Sequence, residues 1–120
     1  MKILVCDDDP VVINIILFKL QREGFGEVIV AADGREALAQ IKINNIKLII
    51  TDLQMPFLSG LEIISFVRNN QRYKTPILVM SSEGLEDDVL KAFELGADDY
   101  MVKPFSLPEL MVRVKRLLRK

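Results

Sequence analysis

The sequence predicts an α/β domain built on a single doubly wound, five-stranded parallel sheet. Three observations carry that expectation: five short apolar runs, helix-start signals between them, and strict alternation of the two along 120 residues. The runs are Ile3 to Cys6, Val28 to Val30, Leu48 to Thr51, Ile77 to Met80 and Tyr100 to Val102. Their brevity and β-branched content suit strands buried on both faces. Five βα units are too few for an eight-unit barrel, so an open doubly wound sheet is expected, for which 2-1-3-4-5 is taken as the strand order.

The first helix is announced by Asp9 before Pro10, a capping acceptor ahead of a proline at the first helical position, and Gly24 is placed to end it. Asp33 with Glu36, Ser59 with Glu62 and Ser106 with Glu109 each have the three-residue offset of a capping box. A fourth interior helix is expected from about Leu85 to Leu95, opened by Glu86, Asp87 and Asp88 and closed by Gly96. The final helix carries Leu110, Val114, Leu117 and Leu118 on one face and mostly basic residues on the other. No composition break or repeat divides the chain, so residues 1–120 read as one domain.

Half the residues are apolar, and 16 basic side chains face 17 acidic ones. That composition supports a packed core, and a net charge of -1 supplies no global field for nucleic acid. Histidine is absent, which excludes His triads, His metal sites and a phosphohistidine donor role. Cys6 stands alone, so neither a disulfide framework nor a thiolate zinc site can form, and a reducing compartment is expected. No apolar run approaches the roughly 18 residues of a membrane span, and Met1-Lys2 leads into a strand without a signal peptide. A soluble, cytoplasmic protein without membrane contact is the expectation.

In an open α/β sheet, ligands bind beyond the carboxyl ends of the strands, near the point where strand order reverses. The first strand ends in Asp7-Asp8, the third in Asp52, the fourth in Ser81-Ser82 and the fifth in Lys103, whereas the second ends in Ala31-Ala32. In the order 2-1-3-4-5 the four polar-ended strands are neighbours, so carboxylates, hydroxyls and an ammonium converge on one crevice. Asp7, Asp8 and Asp52 would repel one another there unless a cation joined them. A hard divalent ion suits this all-oxygen set, and Mg²⁺ commonly takes one or two carboxylates plus a phosphate. Zinc would lack its nitrogen and sulfur ligands. With the acids neutralised, one carboxylate can attack a phosphoryl donor, while a lysine and a hydroxyl bind the incoming phosphoryl oxygens.

Together, Ile3-Leu4-Val5-Cys6-Asp7-Asp8-Asp9, Asp52-Leu53-Gln54-Met55-Pro56 with Gly60, Pro76 to Ser81, and Gly96-Ala97-Asp98-Asp99-Tyr100-Met101-Val102-Lys103-Pro104-Phe105 resemble the receiver domain of two-component response regulators, the CheY-like family. The resemblance covers essentially the whole chain. It implies that Asp52 is the phosphoacceptor and that Asp8, Asp52 and the backbone carbonyl of Gln54 ligate Mg²⁺ or Mn²⁺, with Asp7 acting mainly through water. Lys103 would pair with the acids and then with the phosphoryl group, and the Lys103-Pro104 bond would be cis. Ser81 would move toward the phosphate and Tyr100 would swing inward, reshaping the surface of the fourth helix, fifth strand and fifth helix. Gln54 and Glu83 match the positions that modulate dephosphorylation. The implied partners are a sensor histidine kinase or phosphotransfer protein and a downstream effector or output domain. Asp99 with Arg113 resembles the OmpR/PhoB type, which implies a homodimer, although Val89 stands where those proteins usually carry arginine to pair with the counterpart of Glu109.

Simpler readings accompany several of these residues. Asp9 is a helix cap, Met55-Pro56 a turn, and Cys6 a small core residue. Lys103 alone could be a surface lysine and Tyr100 alone an ordinary strand aromatic. Arg113, Lys115, Arg116, Arg119 and Lys120 are read as a solvated face favoured by the negative helix end, rather than as a nucleic-acid site. Two rival functions remain: a Mg²⁺-dependent phosphatase of the haloacid dehalogenase type, suggested by Asp7-Asp8-Asp9-Pro10-Val11, and a pseudo-receiver that binds partners without phosphorylation. The position of Asp98-Asp99 before Lys103 speaks against the first, and the intact Asp7, Asp8, Asp52, Ser81 and Lys103 set against the second.

Overall fold

The computed structural model describes residues 1–70 and 72–119. The elements run β1 (Lys2–Cys6), α1 (Pro10–Arg22), β2 (Glu27–Ala31), α2 (Gly34–Ile43), β3 (Ile46–Asp52), α3 (Gly60–Asn69), β4 (Ile77–Ser82), α4 (Glu86–Leu95), β5 (Asp99–Lys103) and α5 (Leu107–Leu118). All strand pairs are parallel and the order is β2-β1-β3-β4-β5, as expected.

Period-two alternation divides the core into two layers. Ile3, Val5, Leu48, Ile50, Leu78 and Met80 face α1 and α5, where they meet Ile16, Leu20, Leu110 and Val114. Their neighbours Leu4, Cys6, Ile49, Ile77 and Val79 face the other way, onto Ala37, Ile63, Ile64, Val67 and Ala92 of α2, α3 and α4. The continuous apolar character of β1, β3 and β4 follows from this double burial.

The helix starts show where short-range signals suffice. Asp9 accepts from the Val11 N–H at 2.9 Å, with Pro10 as the first helical residue. The Ser59–Glu62 capping box is complete, at 3.3 Å and 3.2 Å. The other two boxes are half-formed. Asp33 accepts from the Glu36 N–H, but the Glu36 carboxylate takes the Ala32 N–H at 3.5 Å. Ser106 accepts from the Glu109 N–H, while the Glu109 carboxylate turns to the Arg113 guanidinium one turn on, at 3.1 Å. A charged donor outcompetes a backbone amide there. Helix α4 begins at Glu86; Leu85 occupies the cap position without a side-chain acceptor, and Glu86, Asp87 and Asp88 supply negative charge to the first turn instead.

A groove of about 980 Å³ lies at the amino ends of the strands, lined in part by Lys42, Lys47, Arg72 and Lys74. None of the sequence-predicted site residues lines it. No helix among the described residues is long and apolar enough to cross a membrane.

Candidate functional site

The predicted polar residues meet at the opposite, carboxyl edge of the sheet. Cys6 pairs with Thr51 across β1 and β3, so the next residues, Asp7 and Asp52, emerge side by side. Asp7 is fully buried, Asp52 nearly so, and Asp8 exposed. Each offers a carboxylate oxygen within 4.8 Å of the others. Asp7 accepts from the Asp9 N–H at 2.9 Å, and Asp52 from the Gln54 N–H at 3.3 Å.

Lys103 ends β5 two strands away from Asp52, and its ammonium reaches back to Asp7 Oδ2 at 2.7 Å and Asp52 Oδ2 at 3.0 Å. Burial pushes the Asp7 carboxyl above the usual carboxylate range, as does the charge of Asp52, while Lys103 and the Asp9 N–H oppose the rise. For Lys103 the largest single influence is burial, which pulls its pKa down, yet the hydrogen bonds and charges of Asp7 and Asp52 together outweigh it and the net movement is upward. The Lys103-Pro104 peptide bond is cis, as the resemblance implied.

The donor set fits a hard cation. Three carboxylates cluster among the described residues without an imidazole, and the nearby Cys6 thiol is buried, with burial holding it strongly toward its neutral form. Ser81 comes next after Met80, the register partner of Asp52, and its buried Oγ has no hydrogen-bond partner. An orphaned hydroxyl beside a carboxylate cluster is a group waiting for an acceptor. Ser82, the last β4 residue, is exposed and pairs in register with Lys103.

The profile of the response regulator receiver domain matches residues 3–115. The chain belongs to that family. It is 41% identical over 119 residues to the alkaline phosphatase synthesis transcriptional regulatory protein PhoP of Bacillus subtilis, covering 99% of this chain and 49% of that protein. It is 38% identical to the transcriptional regulatory protein SrrA of Staphylococcus aureus, covering 99% and 48%. The chain thus spans about half the length of these curated relatives. Among solved structures, the chemotaxis response regulator CheY4 of Vibrio cholerae superposes with TM-score 0.90 at 36% identity, covering 98% of both chains. A putative response regulator from Chloroflexus aurantiacus gives TM-score 0.93 at 37% identity, covering 99% of this chain and 98% of that one.

The remaining predicted receiver residues are at least partly exposed, with Tyr100 second in β5 rather than at its carboxyl end. Gln54 and Glu83 are exposed. Tyr100 is 38% exposed and packs edge-on against Phe93, with centroids 5.7 Å apart and rings perpendicular. The basic face of α5 is not simply solvated. Arg113 bonds both oxygens of the buried Asp99 at 2.9 Å, Arg116 also pairs with Asp99, and Lys115 approaches Glu23 at 3.7 Å. Arg119 is exposed, and Lys120 lies outside the described residues.

Two residues near the site, Arg35 and Phe57, are not singled out by the sequence. Phe57 sits at φ 71° in the loop between β3 and α3, with the Arg35 guanidinium 3.5 Å from its ring centroid. That backbone region costs a side-chain-bearing residue about 1–2 kcal/mol. An exposed cation–π contact returns about 0.5–1 kcal/mol, so the stack offsets roughly half. Met55-Pro56 was recognised as a turn, but nothing in the local pattern marks an aromatic for the left-handed position, which ordinarily suits glycine or asparagine.

Proposed function

We propose that residues 1–120 act as one phosphoacceptor switch, in which Asp52 receives a phosphoryl group from the phosphohistidine of a sensor histidine kinase or phosphotransfer protein. The observation that carries this reading is the Lys103 ammonium bridging Asp7 and Asp52 at 2.7 Å and 3.0 Å, opposite the exposed Asp8. Asp8, Asp52 and the Gln54 backbone carbonyl would hold Mg²⁺ or Mn²⁺, with Asp7 reaching it through water. An ion held there would neutralise the acids and stabilise negative charge on the phosphoryl oxygens.

In the transfer, a carboxylate oxygen of Asp52 forms a bond to phosphorus as the bond from phosphorus to the histidine nitrogen breaks, and the leaving imidazole keeps that electron pair and takes a proton. Lys103 then shifts part of its interaction to a phosphoryl oxygen, and the Ser81 hydroxyl gains the acceptor it lacks. Movement of Ser81 opens space into which Tyr100 turns, leaving its edge-on contact with Phe93. In hydrolysis a water oxygen bonds to phosphorus as the bond from phosphorus to the Asp52 oxygen breaks, which frees the carboxylate and releases inorganic phosphate, at a rate tuned by the exposed Gln54 and Glu83.

The exposed apolar residues Leu90, Phe93, Tyr100, Val102 and Val112 support an effector, output domain or second copy docking on α4, β5 and α5. The Glu109 carboxylate is already engaged by Arg113 of its own chain and Val89 carries no charge, so a homodimer here would rest on apolar contact rather than on a Glu109 ion pair. A cytoplasmic location accompanies this reading, as does the absence of direct nucleic-acid binding by these residues.

A haloacid-dehalogenase-like phosphatase gains no support: Asp98 is held by Arg68 and Asp99 by Arg113, at the end of β5 opposite Lys103. The test is intact-mass measurement after mixing with Mg²⁺ and acetyl phosphate. A single phosphoryl adduct, absent in Asp52→Asn, is expected; multiple turnover dependent on Asp7 would favour the hydrolase, and no adduct a pseudo-receiver.

A further inference from the structure

Arg35 stands at the start of α2, and Phe57 lies in the loop between β3 and α3, yet the guanidinium carbon sits over the ring, 3.5 Å from its centroid. The same two segments are joined on either side of the ring. The Gly34 N–H donates to the Pro56 carbonyl at 3.4 Å. Gly34 is also pressed against Leu58 so closely that an added Cβ would fall 2.0 Å from the Leu58 carbonyl oxygen. Residues 56, 57 and 58 are therefore all fastened to the beginning of α2, directly after Gln54 and Met55.

Phe57 is 66% exposed and its backbone lies in the left-handed region, so burial gives no reason for an aromatic there. Arg35 forms no ion pair among the described residues. Among the described residues, neither side chain makes a hydrogen bond or ion pair, and the stack is the polar contact they share.

We propose that Arg35 is a positioning residue: its stack on Phe57 closes a clasp that holds the loop carrying Gln54 against α2, and thereby sets the affinity of the acidic pocket for Mg²⁺. The inference rests on the metal reading above. Residues that orient metal ligands without touching the metal typically change affinity about 10–100-fold when removed; acting through a loop, Arg35 is expected to account for about threefold to tenfold.

The test is a Mg²⁺ titration of the intact, unphosphorylated protein, followed by amide chemical shifts of residues 52–58 and by calorimetry. Arg35→Ala and Phe57→Gly are both expected to weaken binding by about threefold to tenfold. Phe57→Tyr, which keeps the ring, is expected to bind as the parent does. Phe57→Gly separates positioning from stability, because glycine accepts φ 71° without strain and its thermal midpoint is expected to be unchanged or higher while its metal affinity falls. Parental affinity in Arg35→Ala and Phe57→Gly overturns the clasp. Absence of saturable Mg²⁺ binding in the parent, or its persistence in Asp8→Asn, overturns the metal reading itself and the clasp with it.

Discussion

The Lys103 ammonium lies 2.7 Å from the fully buried carboxylate of Asp7, joining the end of β5 to the end of β1 across β3 and β4. This pair gives the site its pH behaviour. Burial raises the Asp7 pKa, so folded Asp7 holds its proton more tightly than unfolded Asp7 does. Its contribution to stability is therefore present at low pH and lost as pH rises from about 3.9 through the raised value. Metal-free Asp7→Asn is expected to have a higher urea midpoint than the parent at pH 7, with the gap closing toward pH 4. A midpoint at or below the parental value at pH 7 contradicts the argument.

Lys103 has the opposite dependence. Its pKa moves upward on balance, so its ion pairs stabilise the fold below the unfolded lysine value of about 10.4 and are lost as pH rises through the folded value. Lys103→Met is expected to destabilise at neutral pH and to converge with the parent in alkaline urea melts. The same variant should slow acetyl phosphate transfer by about 10²–10³-fold, the scale for losing one donor to a developing phosphoryl charge.

Removing the Ser81 hydroxyl should separate stability from switching. Its Oγ is buried and unpartnered, and such an orphan costs about 1–3 kcal/mol. Ser81→Ala is expected to melt at or above the parental temperature when unphosphorylated. Its affinity for a beryllofluoride mimic should nevertheless fall. A lower melting temperature together with parental beryllofluoride binding would remove Ser81 from the mechanism.

Mg²⁺ should stabilise the folded chain by mass action. At a hundredfold excess over its dissociation constant the gain is about 2.7 kcal/mol, or roughly 10 °C in melting temperature for a domain of this size. Chelation should reverse the shift. Asp8→Asn is expected to lose it while melting no lower than the metal-free parent, because that change also relieves repulsion with Asp7 and Asp52.

On the opposite flank of the sheet, Arg113→Ala tests the α5 ion cluster. Asp99 is only 6% exposed, but Arg116 remains to pair with it. The expected loss is about 1–2 kcal/mol, less than the 3–5 kcal/mol of an abandoned buried charge. Chemical denaturation of Arg113→Ala beside Arg113→Ala/Arg116→Ala checks this, the double variant being the more damaged.

The strands and the acidic pocket were legible because each rests on a short-range pattern: apolar runs set β1 to β5, and the residue closing each central strand sets the site. Asp7, Asp52 and Lys103 could be placed together once strand order was assumed, since parallel register carries every strand's last residue to one edge. End-of-strand polarity alone does not say which of the adjacent hydroxyls of Ser81 and Ser82 is buried; the structure buries Ser81 and exposes Ser82. Glu36 and Glu109 sit at capping-box spacing, yet their carboxylates went elsewhere, one to Ala32 and one to a guanidinium that only the folded helix presents. The Arg35–Phe57 stack joins residues 22 positions apart through a left-handed backbone, and no local rule reaches that far.

The groove at the amino ends of the strands gathers Lys42, Lys47, Arg72 and Lys74, none of them in an ion pair among the described residues, while Asp7, Asp8 and Asp52 occupy the other end of a body 33 × 32 × 26 Å across. The two ends therefore carry local patches of opposite sign, each partly offset, by Asp98 in the groove and by Lys103 in the pocket. Within the Debye length of about 8 Å at physiological salt, the acidic rim attracts a cationic surface before any atoms touch. Encounter rates with such a surface should fall as ionic strength rises, even though the total charge is only -1.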